Sequence, residues 1–176
     1  MRIRTLRLDL ISSTPEIARA DLLGRSDLEA ALGVRVPEEW PPELYDPPAI
    51  EYGLAWMEGH PDNLQWSFYY LVRRGEGGEA DAVIGVGGYK GAPSENGTVE
   101  VGYSILPPFR RRGYATEAVE GWVRHAFADP RVRRVIAETL PELSASIGVL
   151  EKSGFRLLGP GSEPGVIRYE RLRDAS

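Results

Sequence analysis

Apolar and charged residues alternate from the first positions. Ile3, Leu6, Leu8 and Leu10 within RIRTLRLDL predict a strand over residues 2–10 with one wet face. Ser13 or Thr14 followed by Pro15 and Glu16 signals a helix start, with a hydroxyl to cap it and a proline where a missing N–H costs little; this helix runs to about Gly24. A second short helix follows from Ser26 or Asp27 to Gly33. Residues 36–48 hold five prolines with Trp40, Leu44 and Tyr45, too many prolines for a helix or a central strand. That stretch is a long aromatic loop, of a kind that either serves a site or packs a tryptophan over the edge of the core. A helix is predicted over 49–58, then a hairpin of strands 66–73 and 82–89 around a turn rich in glycine and charge. Gly85, Gly87 and Gly88 lack the spacing of a dinucleotide fingerprint and mark places where backbone or a ring comes close. SENG at 94–97 turns the chain into an alternating strand, 98–106, stopped by Pro107 and Pro108. In 114–128, Ala115, Ala118, Val119, Trp122, Val123, Ala126 and Phe127 recur at helical spacing. A strand over 133–139, a helix over 144–153 ended by Gly154, and strands 155–158 and 166–172 complete an α+β order with mixed connectivity.

With 176 residues the chain fits one domain, 1–176, around one core. Hydrophobic residues at 42% and charged residues at 27% are close to soluble globular averages and suggest neither a disordered chain nor a membrane protein. No apolar run reaches the roughly 18 residues of a bilayer span, and the first residues alternate too regularly for a signal peptide, so a cytoplasmic protein is expected. The sequence has no cysteine and only His60 and His125 as imidazoles, which removes thiolate chemistry and multi-histidine metal centres; no metal is expected. A net charge of −5 argues against nucleic acid as a partner. That charge is uneven: residues 109–135 carry seven arginines against Glu117, Glu120 and Asp129, a local +4 that leaves −9 for the remainder. Such a basic island marks either an anionic ligand held at one place or a solvated helix face.

The most informative segment is YSILPPFRRRGYATEAV, residues 103–119: a strand, two prolines, a cationic glycine loop, then a helix. Gly113 lets the backbone turn tightly, so N–H groups of the loop and of the first helical turn converge where the helix dipole also favours an anion. The spacing is not that of a Walker loop. Arg110-x-x-Gly113-x-Ala115 resembles the [RQ]-x-x-G-x-[GA] signature of the GNAT superfamily of acyl-CoA N-acyltransferases. GTVEVGYSILPPFRRRGYATEAV with RRVIAETLPELSASIGVLEKSGF is similar, in order and spacing, to the branch that includes ribosomal-protein N-terminal acetyltransferases. The resemblance covers residues 97–158, with RTLRLDLIS like the family's first strand. It implies a mixed, mostly antiparallel sheet of about six or seven strands with flanking helices and a splay between its two middle strands. It also implies acetyl-CoA as cosubstrate, its pyrophosphate on Arg110, Arg111, Arg112, Gly113, Tyr114, Ala115 and Thr116, its pantetheine beside Ile105, and Ser146 as a further contact. Leu143 stands where the family commonly has asparagine, and Phe155 follows the last motif helix where some members supply a tyrosine as general acid.

The expected activity is direct transfer of an acetyl group to a primary amine, either a peptide N-terminus or a small molecule. The alternative is a non-catalytic acyl-CoA-binding module. Attack needs a neutral amine, and the thiolate leaving group needs a proton. Glu100 in TVEVGYS is the candidate base, a carboxylate whose burial in the gap would raise its pKa toward neutrality; Glu138 on the neighbouring strand is the second choice. Ser146 is the candidate proton donor. Trp40 and Tyr45 are the candidate acceptor wall, and Glu38, Glu39 or Glu43 would face a cationic amine there. A homodimer is left open.

Overall fold

The computed structural model describes residues 1–174. Its elements in chain order are β1 (Arg2–Arg4), β2 (Leu8–Ser12), α1 (Pro15–Leu23), α2 (Arg25–Leu32), α3 (Pro47–Gly59), β3 (Phe68–Arg73), β4 (Ala82–Tyr89), β5 (Thr98–Ile105), α4 (Tyr114–Ala128), β6 (Arg134–Thr139), α5 (Ser144–Lys152), β7 (Arg156–Pro160) and β8 (Ile167–Leu172), with 3₁₀ turns at Pro61–Trp66 and Pro107–Phe109. Among the described residues eight strands form one sheet in the order β1-β2-β3-β4-β5-β6-β8-β7. Every pairing is antiparallel except β5 with β6, as expected of a mixed, mostly antiparallel sheet.

Local chemistry explains the ends of the helices. The Thr14 hydroxyl accepts from the Ile17 N–H with Pro15 in the first turn, and the Asp46 carboxylate accepts from the Ala49 N–H ahead of Pro47 and Pro48. Gly33 closes α2 in the left-handed region at φ 69°. The first strand departs from the reading of residues 2–10 as one strand: it is a hairpin of β1 and β2 whose turn holds Leu6 out in solvent. Residues 61–66, the last of which had been assigned to the next strand, form a 3₁₀ turn.

The core lies on both faces of the sheet. On one, α4 buries Val119, Trp122, Val123 and Ala126 against Leu10, Tyr69 and Leu71; each large apolar side chain removed from water contributes about 1.5–3 kcal/mol. On the other, α1, α2 and α3 bury Ala18, Leu28, Ile50 and Met57 against Tyr70, Val83 and Val86. The glycines of β4 are tight as predicted: a Cβ on Gly85 would stand 2.5 Å from the Ser104 carbonyl, and one on Gly88, at φ 126°, 2.8 Å from the Ser67 carbonyl. The feature that positions the site is the β5–β6 pairing. It extends only over Thr98–Glu100 against Arg134–Ile136, after which β5 runs on to Ile105 while β6 stays paired with β8. The strands part, giving the splay.

Candidate active site

The cationic loop enters α4 through backbone that few residues adopt. Arg111 has φ 60° and Gly113 φ 80°, so a non-glycine residue is held left-handed two positions before a glycine that is. Such strain persists only where surrounding contacts fix it. Arg7, in the β1–β2 turn, supplies them. Its Nη1 donates to the Arg112 carbonyl at 2.9 Å, its guanidinium lies 4.3 Å from the centre of the Tyr114 ring, and its Nε meets Glu117 Oε2 at 2.8 Å. Glu117 also accepts from Thr5 Oγ1 and the Arg7 N–H, each at 2.6 Å, and from the Leu8 N–H at 3.2 Å. Burial pushes this carboxyl upward, but hydrogen bonds from Thr5 and Arg7 and the Arg7 charge outweigh it and leave it below the usual range. The first hairpin is thus clamped under the loop. Arg7 was not singled out from the sequence; its signal is a charged turn in an otherwise alternating strand.

No side chain caps α4, whose N-cap is Gly113, or α5, whose N-cap is Leu143. α1 and α3 are both capped by their own side chains, whereas α2, which begins after Gly24, is also uncapped. The two helices that flank the splay therefore keep first-turn N–H groups free of side-chain acceptors, beside the exposed side chains of Arg110, Arg111 and Arg112. With the β5 edge unpaired on the β6 side beyond Glu100, this donor set fits the pyrophosphate and amide chain of a coenzyme A thioester. Tyr114 offers only its N–H, its ring being buried beneath Arg7. Arg110 Nε donates to the Ile105 carbonyl at 2.8 Å, tying the loop to the end of β5.

Across the splay, the Tyr103 hydroxyl lies 3.2 Å from Ser146 Oγ and 3.3 Å from the Ser146 carbonyl. Burial pushes the Tyr103 phenol up, against a smaller opposing effect of Ser146. The sequence reading missed Tyr103, whose strand position alone does not reveal that its hydroxyl reaches the first turn of α5. The splay opens onto a cavity of about 520 Å³ whose walls include Tyr45, Tyr52, Trp56, Phe68, Lys90 and Tyr103, with Glu43 and Glu138.

A model of the acetyltransferase (GNAT) domain matches residues 21–156. The chain belongs to the GNAT acetyltransferase family. It is 28% identical over 158 residues to an uncharacterized N-acetyltransferase, YjdG, of Bacillus subtilis, covering 88% of this chain and 89% of the relative. It is 33% identical over 96 residues to another uncharacterized N-acetyltransferase, p20, of Bacillus licheniformis, covering 54% of this chain and 51% of that one. A GNAT-family acetyltransferase from Bacillus anthracis superposes with TM-score 0.64 at 20% identity, covering 98% of both chains. RimL, a ribosomal L7/L12 alpha-N-protein acetyltransferase solved with coenzyme A, superposes with TM-score 0.68 at 18% identity over the whole of both chains, a likeness of fold.

In this GNAT enzyme the candidate carboxylates do not stand as the sequence suggested. Glu100 was expected to be buried in the gap; its side chain is 24% exposed and its Oε1 lies 2.5 Å from Lys90 Nζ. Glu138 borders the cavity but accepts from the Ser162 N–H and hydroxyl and from Nε and Nη2 of Arg168, at 2.6–2.9 Å. Burial pushes it up, and these donors outweigh that and hold it below the usual range. It is an anionic anchor for the 161–166 turn, unsuited to accepting a proton, so the second-choice base is withdrawn. Glu43 lines the cavity but pairs with Arg110 at 3.4 Å, linking the proline-rich loop to the cationic loop, while Glu38 and Glu39 are exposed and outside the lining.

Trp40 is also corrected. Its Nε1 donates to Asp21 Oδ1 at 2.8 Å, and the hydroxyls of Tyr45 and Tyr70 donate to Asp21 Oδ2 at 3.0 Å. Burial raises the Asp21 carboxyl above its usual value, partly offset by these three donors. Trp40 therefore pins the loop onto α1 and β3, and only Tyr45 of the predicted pair reaches the cavity. Phe155 is core, packed among the residues under α4 and α5. No helix among the described residues is long and apolar enough to cross a membrane.

Proposed function

We propose that this GNAT acetyltransferase moves the acetyl group of acetyl-CoA directly to a primary amine that occupies the aromatic-walled cavity, with α-amines preferred. One observation carries the reading: a strained cationic loop and two uncapped helices flank a splay that opens onto this cavity. The names of the relatives, N-acetyltransferases throughout, support the reaction class. RimL, by its name an alpha-N-protein acetyltransferase, supports an N-terminal acceptor through fold alone.

Acetyl-CoA supplies an activated carbonyl and a thiolate leaving group. Backbone N–H groups from about Arg112 to Thr116 hold its pyrophosphate, with Arg110 and Arg111 adding charge. The open β5 edge near Ile105 takes its amide chain as a neighbouring strand would. Ser146 and Tyr103, hydrogen-bonded to each other across the splay, donate a proton toward the sulfur. Glu100 is the remaining candidate to accept the amine proton.

The preference for α-amines follows from the state of the carboxylates. Glu43 and Glu138 are each held by an arginine, and Glu100, the one candidate left, is paired with Lys90, so the site offers at most one base and that one is engaged. A site so equipped favours the amine that loses its proton more readily. An α-amine titrates near 8 and a lysine side chain near 10.4, a difference worth about 3.3 kcal/mol at neutral pH. The test is acetyl-CoA-dependent thiol release over a panel of free peptide N-termini, polyamines and aminoglycoside-like amines. Release with at least one amine and formation of its N-acetyl product are expected; no product from any amine would contradict the proposal.

A further inference from the structure

We propose that Lys90 is itself an acetyl acceptor, modified on its ε-amine in cis. This rests on the reading of the aromatic-walled cavity as the acceptor site. Lys90 directly follows β4, and its N–H donates to the Glu100 carbonyl at 3.0 Å, opposite the last β5 residue still paired with β6. Its side chain borders the cavity and folds across β5: a Cβ placed on Gly102 would meet Lys90 Cε at 3.6 Å. The ε-amine ends 2.5 Å from Glu100 Oε1, next to the strand whose following residues, Gly102 and Tyr103, wall the splay.

Stability does not account for this placement. The Lys90 side chain is 59% exposed, and an ion pair so open to solvent contributes little to stability. What the arrangement does provide is a primary amine at the edge of the proposed acceptor cavity with a carboxylate in contact. The transfer balances with the groups present. Lys90 gives one ammonium proton to Glu100, its nitrogen forms a bond to the thioester carbonyl carbon, and the carbon–sulfur bond breaks. The remaining extra proton on nitrogen passes to the sulfur, leaving Nε-acetyl-Lys90 and coenzyme A. A lysine is a poorer acceptor than an α-amine, but one tethered at the edge of the cavity gains the advantage of an intramolecular reactant, which offsets that handicap. The product amide carries no charge, so acetylation releases Glu100 from its ion pair.

The sequence makes the test clean, since Lys90 and Lys152 are its only lysines. Lys152 lies in a separate hollow with Glu120, Arg156 and Glu170, at the C-terminal end of α5. The full chain is incubated with acetyl-CoA, desalted and read by intact mass and tryptic peptides, with thiol release to an amine panel followed in parallel. Acetylation adds about 42 Da and blocks cleavage after the modified lysine. Expected is modification of Lys90 at least tenfold faster than of Lys152, at a first-order rate independent of protein concentration, faster at higher pH, and suppressed in Gly113→Val. Equal rates at the two lysines, or persistence in Gly113→Val, would identify chemical acetylation and overturn the proposal. A rate proportional to protein concentration would overturn transfer in cis. An unmodified Lys90 in a sample that acetylates added amines would refute this inference and leave the acceptor-site reading standing, whereas loss of both would refute the two together.

Discussion

Gly113→Val probes the loop proposed to hold the pyrophosphate of acetyl-CoA. Gly113 sits at φ 80°, where an L-residue is strained by roughly 1–2 kcal/mol and a β-branched one is a clear outlier. A Cβ there would also stand 3.3 Å from Arg7 Nη2, against the guanidinium that holds the Arg112 carbonyl. The variant must either bear that strain in the bound state or let the loop leave it and lose amide contacts worth about 1 kcal/mol each. Weakening of acetyl-CoA binding by about 10–100-fold follows, since about 1.4 kcal/mol is tenfold. Arg111→Ala is the matched comparison: it removes an exposed charge, worth at most about 1 kcal/mol, and should cost about fivefold or less. Calorimetric titration of both variants with acetyl-CoA decides the matter, with thermal melts to show that each is folded. Wild-type affinity in folded Gly113→Val would refute the assignment of the loop.

Glu100→Gln should leave acetyl-CoA affinity near wild type and lower turnover by about 100-fold, most strongly below the pKa of the amine; an unchanged pH–rate profile would remove Glu100 from the chemistry. Glu117, whose folded pKa is depressed below the ordinary glutamate value, contributes stability that is full above the unfolded value and lost as pH falls through the folded one. Glu117→Gln should therefore cost about 1.5–3 kcal/mol at pH 7, and its melting temperature should converge with that of wild type in acid, which melts from pH 7 to 3 will check. Leu143→Asn places a side-chain amide beside the uncapped first turn of α5, where a contact to the cofactor should tighten acetyl-CoA binding by about 0.5–1.5 kcal/mol. Weaker binding by that variant would mean that leucine already packs against the cofactor.

Features fixed by neighbours in sequence were legible in it. Thr14-Pro15 starts α1, the apolar spacing from Ala115 to Phe127 defines α4, and the glycines of β4 foretold close backbone approach. Features fixed by distant partners were not. The alternation of residues 2–10 hides a turn, because the clamp that makes it comes from Glu117, more than a hundred residues away. A carboxylate on a strand facing the site reads alike whether it is a base or an anchor, and only the arrival of Ser162 and Arg168 decides it for Glu138. Trp40 in a proline-rich loop reads as a substrate wall until Asp21, on α1, is found holding its indole N–H. The cationic loop was legible because its geometry is local, whereas the aromatic-walled cavity gathers residues from α3, β3, β4, β5 and β6.

The most direct test of the central claim uses two peptides of one sequence: one with a free N-terminus and no lysine, the other N-blocked with a single lysine. Acetyl-CoA-dependent acetylation of each at pH 7 is followed by mass. Faster acetylation of the free α-amine is the predicted result. Faster acetylation of the blocked lysine peptide would contradict the account.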